Sequence, residues 1–375
     1  LRLKGLNGSM SFKDFAVLYR TNAQSRSLEE CFLRYNIPYQ VVGGTRFYDR
    51  REVKDILAYM RVLFQPNDMV SLARILNVPT RGVGTKSASL LIDYLNKNEA
   101  DTIESMVHAE KIVGLKGKAL KEIKLLGTIL KDLSTYKNFS IYEVMDSLVA
   151  RIDYLNYLND GSIASEDRIE NVKELLGVAK SYQNMDLETF LTDVALVSDL
   201  DSHNSNDNSI SLMTLHSAKG LEFDVVFMVG MEEGVFPHSR SFFEPEELEE
   251  ERRLCYVGMT RAKQQLYMIH ASTRLLYGNT QHNLPSRFIA DIPEENLETD
   301  PNQKSHISKQ TDSFFADDFS QEMPDIPMLT EGDRVRHPLF GDGIVVAIAD
   351  QEATIRFSRV GQKTLNLQYA PISKI

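Results

Sequence analysis

The sequence has few cysteines and no long apolar run, and each absence excludes a class of protein. Two cysteines in 375 residues cannot build a disulfide framework or a four-cysteine zinc site, and they are typical of a reducing compartment. The longest apolar runs, at 225–229 and 344–349, fall far short of the roughly 18 residues of a membrane helix. Since the chain opens with neither a signal peptide nor a methionine, we expect a piece of a longer cytoplasmic protein, with no membrane partner.

The charge is unevenly distributed along the chain. The net charge is −11, yet residues 291–330 contain ten acidic side chains against two lysines, whereas residues 1–65 contain eleven basic side chains against six acidic ones. Binding follows the local field rather than the sum. A polyanion such as DNA is therefore compatible with this composition, although the net charge alone argues against it.

Hydrophobic periodicity divides the chain into segments, and 375 residues suffice for two or three domains. Short apolar strands, as at 15–19, 210–214 and 224–229, flank a long region with helical spacing, which predicts an α/β domain with a parallel sheet interrupted by an all-helical insertion. A polar acidic stretch and an alternating segment with glycine turns follow, which predict a flexible linker and a small β-barrel. The predicted boundaries are 1–49 and 201–290 for the α/β domain, 50–200 for the insertion, 291–328 for the linker and 329–375 for the barrel.

Two stretches have the residue types of a ligand site. The first, Thr214-Leu-His-Ser-Ala-Lys-Gly-Leu-Glu-Phe223, follows a strand, and the ends of parallel strands are where such sheets bind ligands. The second, 249–263, contains the end of an acidic helix predicted at 246–256 and then Arg261, whose planar guanidinium suits a phosphate. The alternatives are a polar loop that contains His216 by chance and a solvated charged face, which is the favoured interpretation for 249–252.

These stretches, together with Leu18-Tyr-Arg-Thr-Asn-Ala-Gln-Ser-Arg26, resemble superfamily 1 DNA helicases of the UvrD, PcrA and Rep type, most of all the PcrA branch. Residues 214–223 resemble motif V of that family, 233–240 motif Va and 250–263 motif VI, and 41–61 resemble the segment that joins domain 2A to the inserted domain 2B. The resemblance implies that the α/β domain is a RecA-like 2A domain, the helical insertion 2B, and the final segment the Tudor-like domain that ends these helicases.

The resemblance also implies roles for single residues. Glu222 would hold the ATP ribose beside the Gly220 turn, and Arg261 would be the arginine finger that stabilises charge on the γ-phosphate. The side chains implied to line the single-strand DNA track are Arg20, Asn22, Thr214, His216 and His238, with Tyr277 stacking on a base. A half-buried surface aromatic at 277 and a packed loop histidine at 238 are the alternatives.

Two further segments resemble binding modules of the same family. Residues 78–86, with Arg81, Gly82 and Gly84, resemble a helix-hairpin-helix turn of 2B that would contact duplex DNA phosphates without sequence choice. A helix–helix turn is the alternative, and it is favoured for a second such turn at 113–118. The Tudor-like segment implies docking to RNA polymerase, a partner that the residues themselves do not identify.

The phosphate-binding loop G-x-x-x-x-G-K-[ST] is absent from the sequence. The family places that loop and its Mg²⁺ carboxylate in domains 1A and 1B. We therefore expect the C-terminal half of an ATP-dependent 3′→5′ DNA helicase of the bacterial nucleoid. Its parent protein would use ATP and Mg²⁺, and this chain alone would be inactive and hold no cofactor tightly. The alternative is a non-enzymatic adaptor that binds duplex DNA through the insertion and a protein through the barrel.

Overall fold

The computed structural model describes residues 10–98, 101–135, 140–202, 208–276, 278–298, 332–337, 341–349, 352–357, 361–366 and 373–374. Most of the predicted linker, 291–328, therefore lies outside the described residues. The structure divides into two compact units, Leu1–Pro293 and Glu294–Ile375. No helix among the residues described combines the length and the apolar character needed to cross a bilayer.

The first unit contains a five-stranded parallel sheet in the order β2-β3-β1-β4-β5. Its strands are β1 (Phe15–Tyr19), β2 (Tyr39–Val41), β3 (Ile210–Thr214), β4 (Phe223–Val229) and β5 (Ala262–Ile269). All five residues of the central strand β1 are buried, as expected for a parallel strand covered on both faces. β3 pairs with β1 in parallel although about 190 residues separate them. The chain therefore leaves the sheet after β2 and rejoins it at β3.

Helices make up the regular structure of the chain between β2 and β3, apart from residues 99–100, 136–139 and 203–207, which lie outside the described part. After α1 (Ser25–Arg34) come α2 (Arg51–Phe64), α3 (Met69–Ile75), α4 (Thr85–Asn98), α5 (Thr102–Val107), α6 (Gly117–Ser134), α7 (Ile141–Arg151), α8 (Tyr154–Leu158), α9 (Ile163–Ser181) and α10 (Leu187–Ser202). Their apolar faces form one core. Local signals set their starts: Ser140 accepts the N–H of Glu143 and forms a capping box at α7. The predicted α/β architecture with a helical interruption is confirmed.

The remaining elements of the first unit follow β4. They are α11 (Pro245–Met259), the hairpin β6 (Arg274–Leu276) and β7 (Asn279–Gln281), and α12 (Arg287–Ala290). α11 packs Leu254 and Cys255 into the core that covers one face of the sheet. The acidic stretch 246–256 is thus helical, as its composition predicts.

Burial makes one of the two cysteines unreactive. Cys255 is 3% exposed, whereas Cys31 is exposed, and burial raises the pKa of the Cys255 thiol to about 12. With that pKa, about one thiol in 10⁴ is ionised at pH 8, and the thiolate is the nucleophile. We expect iodoacetamide at pH 8 to alkylate Cys31 alone in the native chain and both cysteines in guanidinium, as read by peptide mass spectrometry. Equal native labelling of the two would contradict this packing.

The second unit is a five-stranded antiparallel sheet in the order β11-β10-β9-β8-β12. Its strands are β8 (Arg334–His337), β9 (Gly341–Ala349), β10 (Glu352–Phe357), β11 (Gly361–Asn366) and β12 (Ser373–Lys374). Val335, Val345, Ala353 and Ile355 are buried, and Arg334, Ile344 and Arg356 lie side by side on the opposite face. This alternation follows from the two-residue period of a strand. The small β domain predicted for this segment is confirmed, and it is an antiparallel sheet.

Candidate functional site

The loop that follows β3 connects it to β4 and contains the first predicted site. Thr214 and Ser217 share a hydrogen bond of 3.0 Å between their hydroxyls, and the Ser217 N–H donates to Thr214 Oγ1 at 3.2 Å. Gly220 has φ +86°, a conformation that favours glycine, and Glu222 is exposed just before β4. The loop thus turns sharply through Gly220 and presents the Glu222 carboxylate to solvent at the start of a sheet strand.

Arg261 ties the end of α11 to this loop. Its Nη1 donates to the backbone oxygen of Leu221 at 2.9 Å and its Nε to that of Val257 at 2.9 Å. Its own carbonyl oxygen accepts the N–H of Phe223 at 2.9 Å. Arg261 therefore contacts the residues on both sides of Glu222. The two residues predicted to share a nucleotide wall lie in adjacent segments, with an exposed acceptor and a partly exposed cation.

This wall fits part of a nucleotide. An exposed carboxylate suits a ribose hydroxyl, and a guanidinium with hydrogen-bonding capacity left suits phosphate charge. The described residues contain no group of three or more His, Cys, Asp and Glu side chains that could hold a metal ion.

Arg20 lies in a buried ion pair rather than on the surface. It is 7% exposed, and its Nε donates to both carboxylate oxygens of Glu251, at 2.8 and 3.1 Å, while Nη2 lies 2.7 Å from Oε1. Glu251 also accepts the backbone N–H of His238 at 3.0 Å. The side chain of Gln24 accepts the N–H groups of Arg20 and Thr21 at 2.9 Å each. The segment that follows β1 is thus fixed by side chains from its own turn and from α11.

Glu251 corrects one expectation from the sequence. The stretch 249–252 was expected to be a solvated charged face, and this is wrong at Glu251, which is 5% exposed. Glu250, one residue earlier, has a side chain 70% exposed and pairs with Arg253. A helix turns by about 100° per residue, so neighbouring glutamates of one acidic run lie in different environments.

The helix α9 of the insertion contacts two residues of the predicted DNA track. Asn22 Nδ2 donates to Asp167 at 3.1 Å, and His238 Nε2 lies 3.0 Å from a Glu170 oxygen. Asn171 Oδ1 on the same helix accepts from buried Arg50 at 2.7 Å. His238 is therefore a partly buried histidine with a carboxylate partner. The insertion and the sheet share these contacts within one compact unit.

The electrostatics of this region follow from burial and from neighbouring charges. Burial and the Arg20 guanidinium lower the pKa of His216, which lies in the loop after Thr214. Burial and the nearby Glu170 carboxylate raise the pKa of Asp167. Both shifts disfavour the charged form of the group that shifts.

The hairpin β6–β7 is anchored at both of its ends. Arg274 Nε donates to fully buried Glu232 at 2.7 Å, and the N–H of Ala271 donates to the same carboxylate at 2.7 Å. At the turn, a side chain on Gly278 would meet α9, with Gly177 Cα 3.1 Å from the added atom. Tyr277 lies outside the described residues, so its predicted base stacking remains a prediction.

The predicted turn of the insertion lies between α3 and α4. Gly82 has φ +79°, whereas a Cβ added at Gly84 would meet nothing within 4 Å. The guanidinium of Arg81 donates to the backbone oxygens of Ile75 and Val78 at 2.9 and 3.0 Å. Asn77 Oδ1 accepts the N–H groups of residues 81, 82 and 83 at 2.9–3.2 Å. The turn is held by its own side chains, and the N–H of Gly82 already has a partner.

Two models of known protein families match this chain, one along most of its length and one near its end. The family model described as the UvrD-like helicase C-terminal domain matches residues 2–273. The chain belongs to the UvrD-like helicases. A second model, the PcrA/UvrD tudor domain, matches residues 332–374, which coincide with the antiparallel sheet of the second unit. The resemblance stated from the motifs is thereby confirmed.

Relatives of this UvrD-like chain include two curated staphylococcal proteins, each named ATP-dependent DNA helicase PcrA. The one from Staphylococcus aureus strain Mu50 is 39% identical over 393 residues, which cover 99% of this chain and 54% of the relative. The one from Staphylococcus epidermidis strain RP62A is 39% identical over 397 residues, which cover 99% of this chain and 53% of the relative. The chain thus spans about half the length of the curated relatives that it matches.

Proposed function

We propose that this UvrD-like chain is the C-terminal half of an ATP-dependent DNA helicase that moves 3′→5′ along single-stranded DNA. One observation supports the proposal most strongly: Arg261 donates to the carbonyl of Leu221, directly before the exposed carboxylate of Glu222. A cation and a hydroxyl acceptor side by side where β4 and β5 begin can form one wall of a nucleotide cleft. The curated relatives are named ATP-dependent helicases, which agrees with this interpretation.

In this proposal Arg261 stabilises negative charge on the γ-phosphate of ATP and Glu222 accepts a hydrogen bond from the ribose. The turn at Gly220 brings the backbone past the nucleotide. Bound ATP with Mg²⁺ supplies the phosphoryl transfer itself. The phosphate-binding loop and the Mg²⁺ carboxylate would come from domains 1A and 1B, so the chain alone would not hydrolyse ATP.

The proposed DNA track lies where β1 and β3 end. Thr214, His216, Asn22 and His238 would contact the single strand, with Arg20 behind them and Tyr277 stacking on a base. The turn at Arg81, Gly82 and Gly84 would contact duplex DNA. Because Asn77 occupies the N–H of Gly82, the phosphate would be bound by the N–H groups at the start of α4, after Gly84.

The predicted domain limits belong to the same proposal. Residues 1–49 and 201–290 would form 2A, 50–200 the insertion 2B, 291–328 a linker and 329–375 the Tudor-like domain. That last domain would dock a protein partner, RNA polymerase being the candidate. A helicase of this kind would act in the bacterial cytoplasm, at the nucleoid.

The proposal is tested with the full-length protein on partial duplexes that have either a 3′ or a 5′ single-stranded tail. We expect strand separation that requires ATP and Mg²⁺ and proceeds on the 3′-tailed substrate. Binding to duplex DNA without any ATP hydrolysis would instead favour the adaptor. Preference for the 5′ tail would contradict the polarity.

A further inference from the structure

Glu251 differs from its neighbours on α11 in both burial and partners. Glu249 and Glu250 have side chains 54% and 70% exposed and pair with arginines of their own helix, Arg252 and Arg253. Glu251 has a side chain 7% exposed and binds outside its helix. A buried carboxylate is stable only where its partners compensate for the loss of water. The partners of Glu251 therefore determine what this side chain does.

The partners come from two separate parts of the chain. The Arg20 guanidinium meets the carboxylate with three atom pairs between 2.7 and 3.1 Å. The backbone N–H of His238 donates to Oε2 at 3.0 Å. Arg20 directly follows the central strand, and His238 begins the short helical turn before α11. One carboxylate therefore fixes two segments of the proposed DNA track relative to α11.

The same helix leads to the nucleotide wall. α11 runs without interruption to Met259, and Arg261 follows two residues later. From Glu251 to the end of α11 at Met259 is about 12 Å along the helix at its usual rise. Because Arg261 is bonded to both the helix end and the loop at Leu221, a shift of either would move α11 as a rigid body and displace the Glu251 carboxylate.

We infer that Glu251 is a positioning residue that couples the nucleotide wall to the DNA track. It transmits the position of Arg261 to Arg20 and to the His238 segment. This inference rests on the proposed function, since it requires both a nucleotide and a DNA strand. In linkage terms, Glu251 contributes to the factor by which nucleotide changes DNA affinity, and that factor is reciprocal.

The test measures this factor in the full-length protein. The affinity for a fluorescent oligo-dT strand is determined by anisotropy, with and without Mg²⁺ and a non-hydrolysable ATP analogue. We expect the ratio of the two dissociation constants to fall toward 1, by at least about threefold, in Glu251→Gln, since couplings between sites are commonly 5–150-fold. Glu250→Gln is the matched control and should keep the wild-type ratio.

A second variant covers the case in which Glu251→Gln does not fold. Arg20→Lys keeps the charge but loses the bidentate fork, and it should lower the ratio in the same direction. If either folded variant weakens DNA binding equally with and without the analogue, Glu251 is only structural and the inference fails while the helicase proposal stands. If the wild-type protein has the same dissociation constant for DNA with and without the analogue, the proposed function fails and this inference fails with it.

Discussion

Replacing Arg261 by alanine in the full-length protein should lower kcat for DNA-stimulated ATP hydrolysis by about 10³-fold or more, the effect of removing an arginine finger. The guanidinium lies beside the exposed Glu222 and is held by the carbonyl oxygens of Leu221 and Val257. Under the proposed function, these bonds would hold the guanidinium ready for charge that develops on the phosphate, which is the condition under which such a group stabilises a transition state. The measurement is steady-state ATPase with saturating single-stranded DNA.

The control for this variant is Arg253→Ala. Arg253 lies on α11 with a side chain 69% exposed, and its partner is the equally exposed Glu250, so its loss should change kcat less than twofold. Because Arg261 also makes hydrogen bonds in the protein, thermal unfolding of Arg261→Ala must be compared with that of the wild type. A folded Arg261→Ala enzyme with wild-type turnover would show that the phosphate cation lies elsewhere.

Gly127→Ala should destabilise the chain, with a net loss of about 1–2 kcal/mol in the free energy of unfolding. A Cβ at this position would lie 2.7 Å from the Val107 backbone nitrogen and 2.8 Å from the Met106 carbonyl carbon. Backbone cannot move aside as a flexible side chain can, and overpacking of this kind costs about 1–3 kcal/mol or more. The gain in helix propensity, about 1 kcal/mol, offsets part of that cost. Chemical denaturation of the chain followed by circular dichroism measures the net change.

Gly84→Ala is the matched control for Gly127→Ala. Nothing lies within 4 Å of the added Cβ, and Gly84 does not have a left-handed φ. The substitution should leave stability unchanged or raise it by about 0.4–1 kcal/mol, because it restricts the unfolded chain. An equal loss of stability in both variants would show that helix packing at Met106 is not the cause.

The parallel sheet and the helical insertion were predictable because their signals are local. The apolar run at 15–19 predicted β1, and the strands at 210–214 and 224–229 were placed to within one residue. Helical spacing at Ile56, Leu57 and Met60 marked α2, where all three are buried. A strand buried on both faces gives a short apolar run, and a helix with one apolar face gives apolar residues three or four positions apart. Both patterns are visible within a short stretch of sequence.

The partners of the polar side chains were not predictable. Arg20 and Glu251 are 231 residues apart, and no local pattern distinguishes Glu251 from the glutamates beside it. The contact of Arg81 with DNA stays a prediction, and the bonds of its guanidinium to carbonyl oxygens of its own turn had no signal in the sequence. Asn77, by contrast, had a local signal, because asparagine before a tight turn commonly accepts backbone N–H groups a few residues later.

Under the proposed function, this chain supplies one wall of a nucleotide cleft and lacks the other. The most direct measurement is ATP hydrolysis by the chain alone, by a separate fragment that contains the proposed 1A and 1B domains, and by the two mixed, each with single-stranded DNA. We predict background rates for the separate parts and DNA-stimulated turnover for the mixture. Robust turnover by the chain alone, lost in Arg261→Ala, would contradict the claim by showing a complete active site within these 375 residues.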